Sequence, residues 1–176
     1  MIREELGKKI YDSSYITGEF VLRSGKISNE YFDKYQFESR PELLTEIAKQ
    51  LLPLLPNDFD AFAGLEMGGI PIATALSIET NKPIVFVRKK AKEYGTCKFA
   101  EGVDIVNKKI VVVEDVVTSG GQVILSTKDL RAAGAIIEDA ICVINRESGG
   151  REKLAANGIN LQSLFTMSYL KGINTK

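Results

Sequence analysis

The chain opens with apolar residues at helical spacing. Ile2, Leu6 and Ile10 fall on one helix face, and Pro41 opens the run PELLTEIAKQLLPLL, which predicts a second helix with proline in its first turn. Between these two patterns, the segment EFVLRSGKISNEYFDKY is typical of a short hairpin, with SG and SN as turn signals.

From Phe59 onward, short β-rich runs alternate with helical ones. In order, the runs are FDAFAGL, IPIATALSIET, PIVFVR, residues 110–115, GQVILSTKDLRAAG and residues 140–144. Such alternation predicts crossover units on a parallel sheet with helices on both faces. We therefore predict an α/β fold, an open, mainly parallel twisted sheet flanked by helices, in a single domain covering residues 1–176.

Composition narrows the chemistry. The 23 Lys and Arg residues balance the 23 Asp and Glu residues, so no global field draws the protein to nucleic acid or to an anionic membrane. Histidine is absent, which excludes histidine-based nucleophile pairs, imidazole bases and histidine zinc sites. We expect chemistry that uses carboxylates, lysines, arginines, hydroxyls and backbone groups.

Nothing in the sequence indicates a membrane or an oxidising compartment. No apolar run approaches the roughly 20 residues that span a bilayer, and the first residues, MIREELGKKIYD, are too charged for a signal peptide. Cys97 and Cys142 lack a paired metal-ligand spacing. These features predict a soluble, cytoplasmic protein.

The stretch VVVEDVVTSGGQ, residues 111–122, joins a buried strand to a polar turn. Glu114 and Asp115 follow three valines at the carboxyl edge of the strand, where parallel sheets bind ligands. The hydroxyl and glycine residues after them lead into a helix that begins near Gln122, whose free N–H groups favour phosphate. Carboxylates beside a phosphate site suit ribose hydroxyls, which they bind through charge-assisted hydrogen bonds. The motif predicts a site for a phosphorylated pentose, with a plain polar connection as the alternative.

Two other nucleotide motifs do not fit. A P-loop requires G-x-x-x-x-G-K-[ST], but Gly25 and Lys26 are followed by Ile27 and preceded by Phe20 where the first glycine belongs. A dinucleotide fold requires G-x-G-x-x-G, and GLEMGG at residues 64–69 breaks that spacing at its third position.

VVVEDVVTSGG is similar to the motif that binds phosphoribosyl diphosphate (PRPP) in type I phosphoribosyltransferases. Four further segments resemble the orotate phosphoribosyltransferase family, in the right order along nearly the whole chain: FVLRSGKISNEYFD, GLEMGGIPIATALS, VRKKAKEYGT and INRESGG. The resemblance implies the type I phosphoribosyltransferase fold, with a core of about residues 41–160. A small hood would come from about residues 1–40 plus the C-terminal segment.

The resemblance implies transfer of 5-phosphoribosyl from PRPP to orotate, giving orotidine 5′-monophosphate and diphosphate in UMP biosynthesis. Lys92, Glu114 and Asp115 would be the catalytic residues, the two acids holding the ribose hydroxyls. Orotate would contact Arg23, Thr118 and Arg146. The PRPP site would comprise Arg88, Lys89, Lys92, Tyr94, Glu114, Asp115, Val116, Val117, Thr118, Ser119, Gly120, Gly121 and Gln122, with the residues from Val116 onward around the 5′-phosphate.

The implied cofactor is Mg²⁺, held mainly by PRPP and water rather than by protein ligands. The implied assembly is a homodimer in which loop 88–102 completes the partner's site, without nucleic acid or membrane. Three positions depart from the family: Tyr94 stands where many members have histidine, Glu114 replaces the commoner aspartate, and Gly68 stands where some members have lysine.

Two other functions remain open at this point. One is a transferase for a purine or another pyrimidine, in which Arg146 would have no substrate carboxylate to bind. Independently of the base, Arg146 has the structural alternative of a surface arginine paired with Glu147 or Glu152. The other is a PRPP-sensing regulator without catalysis, although the chain shows no basic nucleic-acid surface.

Overall fold

The computed structural model describes residues 1–22, 25–91, 93 and 98–174. The predicted site residues Arg23, Lys92 and Tyr94 lie outside the described residues. The helices are α1 Arg3–Ser14, α2 Tyr35–Glu38, α3 Pro41–Leu51, followed by a 3₁₀ turn at Leu52–Leu54, α4 Gly69–Thr80, α5 Gly121–Ala132, α6 Gly150–Ala156 and α7 Met167–Asn174. The strands are β1 Tyr15–Val21, β2 Ile27–Phe32, β3 Ala61–Leu65, β4 Ile84–Val87, β5 Ala100–Gly102, β6 Lys109–Val117, β7 Ile136–Asn145 and β8 Asn160–Thr166.

The main sheet has six strands in the order β5-β4-β3-β6-β7-β8. Five of them are parallel, and β5 pairs antiparallel with β4 at one edge. The predicted α/β fold with a mainly parallel sheet is therefore confirmed. The last strand, β8, extends the sheet past residue 160, which the sequence marked as the approximate end of the core.

Strand β6 is central, and its valines are buried on both faces of the sheet. Val111 and Val113 pack in one apolar cluster with side chains of α1, α3 and α4. Val112 packs in a second cluster with side chains of α5 and α6. Because both faces are covered, polar residues of this strand reach water only at its ends, where Lys109 is exposed and Glu114 is partly exposed.

The predicted hairpin forms a separate two-stranded sheet of β1 and β2. Gly25 occupies the turn with a φ of 80°, a conformation that glycine adopts at little cost. The second turn signal was wrong, because Ser28 and Asn29 lie inside β2.

The chain leaves the hairpin through a turn at Asp33 that begins α2. Asp33 Oδ1 accepts a hydrogen bond from the backbone N–H of Tyr35 at 3.2 Å, and its Oδ2 accepts one from the Gln36 amide at 3.0 Å. This turn directs Lys34 and Glu38 toward the carboxyl end of β6, where both approach Asp115.

The C-terminal helix α7 packs against α1. The guanidinium of Arg3 lies 5.3 Å from the ring centroid of Phe165 and 5.2 Å from that of Tyr169, which joins α1 to the end of the chain. Among the residues that the structure describes, no helix has the length and apolar character needed to cross a membrane.

Candidate active site

A cavity of about 280 Å³ opens at the carboxyl ends of β3 and β6, the edge at which parallel sheets bind ligands. We call it the strand-end cavity. It is lined by Lys34, Tyr35, Glu66, Met67, Lys89, Glu114, Val116, Val117, Thr118, Ser119, Gly120, Gly121, Gln122 and Val123. Nine of these residues are among those that the sequence predicts for PRPP: Lys89, Glu114 and the seven residues of the loop 116–122.

The loop after β6 wraps one side of this cavity and ends in α5, which begins at Gly121, one residue before the predicted start. Gly120 has a φ of 73°, and its carbonyl accepts the first helical hydrogen bond from Ile124 at 3.0 Å. A Cβ at Gly120 would lie 3.2 Å from the carbonyl oxygen of Gly150, so the start of α6 packs closely on this turn. The N-terminus of α5 therefore presents free N–H groups and partial positive charge to the cavity, as an anion site requires.

The two acids of the motif face different surroundings. Glu114 is partly exposed and lines the strand-end cavity, whereas Asp115 is fully buried. Both lie within β6, where successive side chains point to opposite faces, and their contact with ribose hydroxyls stays a prediction. In the sequence, the two-residue period of a strand already indicates that the side chains of Glu114 and Asp115 have different surroundings.

Asp115 points into a cluster of charged groups behind the cavity. Its Oδ2 lies 2.5 Å from Nζ of Lys34, and its Oδ1 accepts a hydrogen bond from the backbone N–H of Val116 at 2.5 Å. A Cβ at Gly68 would overlap Asp115 Oδ2 and would lie 3.0 Å from Oε1 of Glu38. The absence of a side chain at position 68 therefore makes room for the Asp115 carboxylate.

Electrostatics within this cluster favour a single buried anion. Burial and hydrogen bonding to Asp115 raise the pKa of Glu38 to about 9. Burial and the charge of Asp115 also raise the pKa of Glu114 well above its usual range. Burial opposes ionisation of Asp115 as well, but hydrogen bonds from Glu38 and Glu114 and the charge of Lys34 lower its pKa. Burial opposes the ammonium of Lys34, yet its attraction to Asp115 raises the lysine pKa.

A second cavity, of about 260 Å³, lies between the hairpin and the C-terminal helix. We call it the hairpin cavity. It is lined by Tyr15, Leu22, Ser28, Glu30, Tyr31, Phe32, Arg146, Met167 and Lys171. The two cavities adjoin, because the backbone N–H of Arg146 donates to the carbonyl of Val117, which lines the strand-end cavity, at 2.8 Å.

Side chains on separate elements hold the hairpin cavity in shape. Glu30 accepts a hydrogen bond from the Tyr15 hydroxyl at 2.5 Å and lies 3.2 Å from Nζ of Lys171. These two contacts, with a contribution from the charge of Arg146, lower the pKa of Glu30. Arg146 is exposed. Among the described residues no ion pair joins it to Glu147, whose carboxylate accepts from Ser168 N–H and Oγ at 2.9 and 2.8 Å.

The start of the long basic loop meets the strand-end cavity. Lys89 lines it, and the backbone N–H of Lys89 donates to Glu66 Oε1 at 2.9 Å. Arg88 does not line it, since its Nε lies 3.8 Å from Glu101 Oε1. Thr118, predicted to contact orotate, lines the strand-end cavity and not the hairpin cavity.

Some residues that line the strand-end cavity were not predicted from the sequence. Lys34 and Tyr35 carry no local motif, and Lys34 lies at the exit of a hairpin far along the chain from Asp115. Glu66, in contrast, lies within GLEMGGIPIATALS, one of the segments that carry the family resemblance. The clustered charge in FDKYQFE marks no site without knowledge of what packs against α2.

The oxygen donors at the strand-end cavity suit a hard cation that a ligand also coordinates. Glu66 places a carboxyl group on its wall, and Mg²⁺ typically binds one or two carboxylates together with substrate phosphates and water. Within the described part of the chain, no group of three or more potential metal-binding side chains gathers.

Residues 35–166 match the phosphoribosyl transferase domain. The chain is 48% identical over 155 residues to an orotate phosphoribosyltransferase of Nocardioides sp., covering 88% of this chain and 87% of that protein. The chain belongs to the orotate phosphoribosyltransferase family. A relative of the same name in Pyrococcus abyssi is 43% identical over 173 residues, covering 96% of this chain and 95% of that protein.

The fold of the orotate phosphoribosyltransferase family is also seen in a solved structure. The orotate phosphoribosyltransferase of Mycobacterium tuberculosis H37Rv, in complex with Fe(III) dicitrate, superposes with a TM-score of 0.85 at 25% identity. The match covers 96% of this chain and 98% of that one. The family resemblance inferred from VVVEDVVTSGG and the four further segments is therefore confirmed.

Proposed function

We propose that the protein transfers the 5-phosphoribosyl group of PRPP to orotate, giving orotidine 5′-monophosphate and diphosphate in UMP biosynthesis. The observation that carries this is the pair of adjoining cavities, one with a glycine-rich anion loop and the other with an exposed arginine. The relatives named orotate phosphoribosyltransferase, which match over most of their length, support orotate as the base.

The strand-end cavity would hold PRPP. The loop from Val116 to Gln122 would bind the 5′-phosphate through backbone N–H groups and the hydroxyls of Thr118 and Ser119. Glu114 would hydrogen-bond the ribose hydroxyls. Because burial and Asp115 favour the neutral carboxyl form of Glu114, it can donate as well as accept, and it avoids repelling the phosphates beside it.

Asp115 would act from behind the sugar. It is the buried anion of the cluster, so its field favours the positive charge that develops on the ribose ring as the bond from C1 to the diphosphate breaks. Its hydrogen bond from Val116 N–H also fixes the first residue of the phosphate loop.

Positive groups would stabilise the leaving diphosphate. Lys89 already lines the cavity, and Arg88, Lys92 and Tyr94 are proposed to join it when the basic loop 88–102 closes and excludes water. Mg²⁺, bound mainly through PRPP oxygens and water, would neutralise part of the diphosphate charge.

The hairpin cavity would hold orotate. Arg146 offers a planar guanidinium that pairs with a carboxylate through two parallel hydrogen bonds, and this exposed residue lines the cavity. Arg23 and Thr118 are proposed as further contacts. The protein would act in the cytoplasm as a homodimer in which loop 88–102 completes the partner's site.

Product analysis tests the function directly. Purified protein with PRPP and Mg²⁺ is offered orotate, uracil, hypoxanthine or adenine, and nucleotide products are separated chromatographically. Of the four bases, we expect only orotate to give a nucleotide product. This product should disappear when EDTA replaces Mg²⁺. Product only with an uncharged base would contradict orotate as the substrate, and PRPP binding without product from any base would favour the regulator.

A further inference from the structure

Lys34 stands at the strand-end cavity although no motif assigns it a role. Its side chain is 32% exposed, and its ammonium lies 2.5 Å from Oδ2 of the fully buried Asp115. It also lies 5.4 Å from the ring centroid of Tyr35, a second residue of the cavity wall. An ion pair and a neighbouring aromatic ring therefore both hold the ammonium in place.

That place borders the segment from Glu66 to Gly68. Asp115 Oδ2, the partner of Lys34, lies where a Cβ of Gly68 would stand. Lys89 reaches the same segment, since its backbone N–H donates to Glu66 Oε1 at 2.9 Å. Lys34 and Lys89, both of which line the cavity, thus stand beside one segment.

The segment itself brings no cationic side chain to the cavity. Its residues are Glu66, Met67 and Gly68. A longer residue at position 68 is excluded while Asp115 keeps its position, because even a Cβ would overlap the carboxylate. Positive charge at this part of the wall must come from another element, and Lys34 comes from the turn between β2 and α2.

The ammonium of Lys34 retains capacity for a ligand. A lysine carries three N–H donors, and the ion pair with Asp115 occupies one side of the group. Within the part of the chain that the structure describes, no other acceptor takes the remaining donors, and Lys34 lines the cavity. A compact point charge of this kind suits phosphate oxygens.

We propose that Lys34 is a further substrate-binding residue, which Asp115 positions to contact the diphosphate group of PRPP. The inference deepens the proposed function and rests on it. It divides the anion contacts of the cavity between the loop 116–122, which takes the 5′-phosphate, and the two lysines, which take the diphosphate.

The test compares Lys34→Met and Lys34→Arg with the parent protein. Loss of one charge-assisted contact in Lys34→Met should raise the KM for PRPP roughly 10- to 100-fold, and the KM for orotate should change less than about threefold. Lys34→Arg keeps the charge and should recover part of the loss. The matched control is Lys9→Met on α1, which removes a half-exposed lysine that also pairs with a glutamate, Glu5, at 3.0 Å.

Direct binding separates the two phosphate sites. Titration calorimetry with inorganic diphosphate should show weaker binding to Lys34→Met, whereas ribose 5-phosphate should bind it as it binds the parent. Because Lys34→Met leaves a buried carboxylate unpaired, the same titrations are made with Asp115→Asn and with the double variant Lys34→Met/Asp115→Asn. The double variant should bind diphosphate more weakly than Asp115→Asn does. Because neither protein contains a charged Asp115, this difference measures the contact of Lys34 with diphosphate, separately from the stability of the ion pair.

Equal affinities of Asp115→Asn and Lys34→Met/Asp115→Asn for diphosphate would overturn the proposal. So would an equal loss of affinity for PRPP and orotate in Lys34→Met with a lowered Tm, since that is the behaviour of a structural lysine. A parent protein that forms no orotidine 5′-monophosphate refutes the proposed function, whereas a parent that forms it with the same PRPP KM as Lys34→Met refutes this inference alone.

Discussion

The two cavities adjoin but are built in different ways. The strand-end cavity lies at the ends of β3 and β6 and is lined by the loop that follows β6. It is supported by the buried carboxyl groups of Glu38 and Asp115 and by the partly exposed Lys34. The hairpin cavity is made of side chains from the hairpin, the end of β7 and α7, and its central ion pair, Glu30 with Lys171, is half exposed on both sides. Substrate binding and folding stability therefore share the same residues in the first cavity and are separable in the second.

The physical reason is the cost of desolvation. An exposed ion pair contributes about 0 to 1 kcal/mol, so residues around the hairpin cavity can change with little effect on folding. Removing one partner of a buried pair costs about 3 to 5 kcal/mol, because the other charge is left uncompensated. The pair of Lys34 with the fully buried Asp115 belongs near this second class.

Gly68→Ala should break the strand-end cavity with the largest effect. The added Cβ would overlap Asp115 Oδ2, so the carboxylate must leave Lys34. We expect a loss of about 3 to 5 kcal/mol of unfolding free energy, measured by urea denaturation. The value of kcat/KM for PRPP should fall more than about 100-fold, by analogy with removal of one electrostatic donor.

Gly172→Ala is the control for that substitution. Gly172 lies in α7, and a Cβ there would meet none of the described residues within 4 Å. Since alanine favours a helix by about 1 kcal/mol over glycine, this variant should be as stable as the parent or slightly more so. A Gly68→Ala protein with parental stability would show that the Asp115 cluster does not couple folding to binding.

Arg146→Met should damage the hairpin cavity without unfolding the protein. Loss of a bidentate contact worth about 3 kcal/mol predicts a roughly 100-fold fall in kcat/KM for orotate. Because Arg146 is exposed, Tm should stay within about 2 °C, as is usual for surface substitutions. Steady-state kinetics with each substrate varied in turn, and calorimetric unfolding, make the measurement.

Arg151→Met serves as the neighbouring control for Arg146. Arg151 is an exposed residue of α6 that does not line the hairpin cavity. An equal rise of the KM values for PRPP and orotate in Arg146→Met would show that the two cavities do not divide the substrates as proposed.

Glu38→Gln should have a smaller effect, visible in the pH dependence of stability. The pKa of Glu38 is about 9 in the folded protein against an ordinary value of 4.5. The folded state keeps a proton that the unfolded state releases above about pH 4.5, so the stability contributed by this group is full below that pH. It is lost as the pH rises toward 9.

Glutamine remains neutral throughout that range, so the unfolding free energy of Glu38→Gln should fall less between pH 5 and 9. The unfolding free energy of the parent should therefore fall by at least about 1.4 kcal/mol more than that of Glu38→Gln between pH 5 and pH 9. This difference is the equivalent of one pKa unit. Urea denaturation at pH 5, 7 and 9 measures it, with Glu42→Gln on the exposed side of α3 as the control. Parallel curves for parent and Glu38→Gln would contradict a proton held at this position.

The parts of the molecule that the sequence predicts are those with local patterns. Runs of valine mark β6, and the hydroxyl and glycine residues after Val117 mark the anion loop, because backbone geometry there depends on neighbours in the chain. The contacts of Asp115 with Lys34, Glu38 and Gly68 join three separate segments. No spacing rule connects those segments, so only tertiary packing reveals the cluster.

The backbone hydrogen bond from Arg146 to Val117 has a consequence for the distance between the reactants. Neighbouring strands are about 4.8 Å apart, a spacing fixed by peptide geometry and not by side chains. If the ribose of PRPP is bound at the end of β6 and the orotate ring at the end of β7, the strand spacing sets the distance from the attacking nitrogen to the anomeric carbon. The side chains that bind each reactant can then change during evolution while the distance between the reacting atoms stays the same.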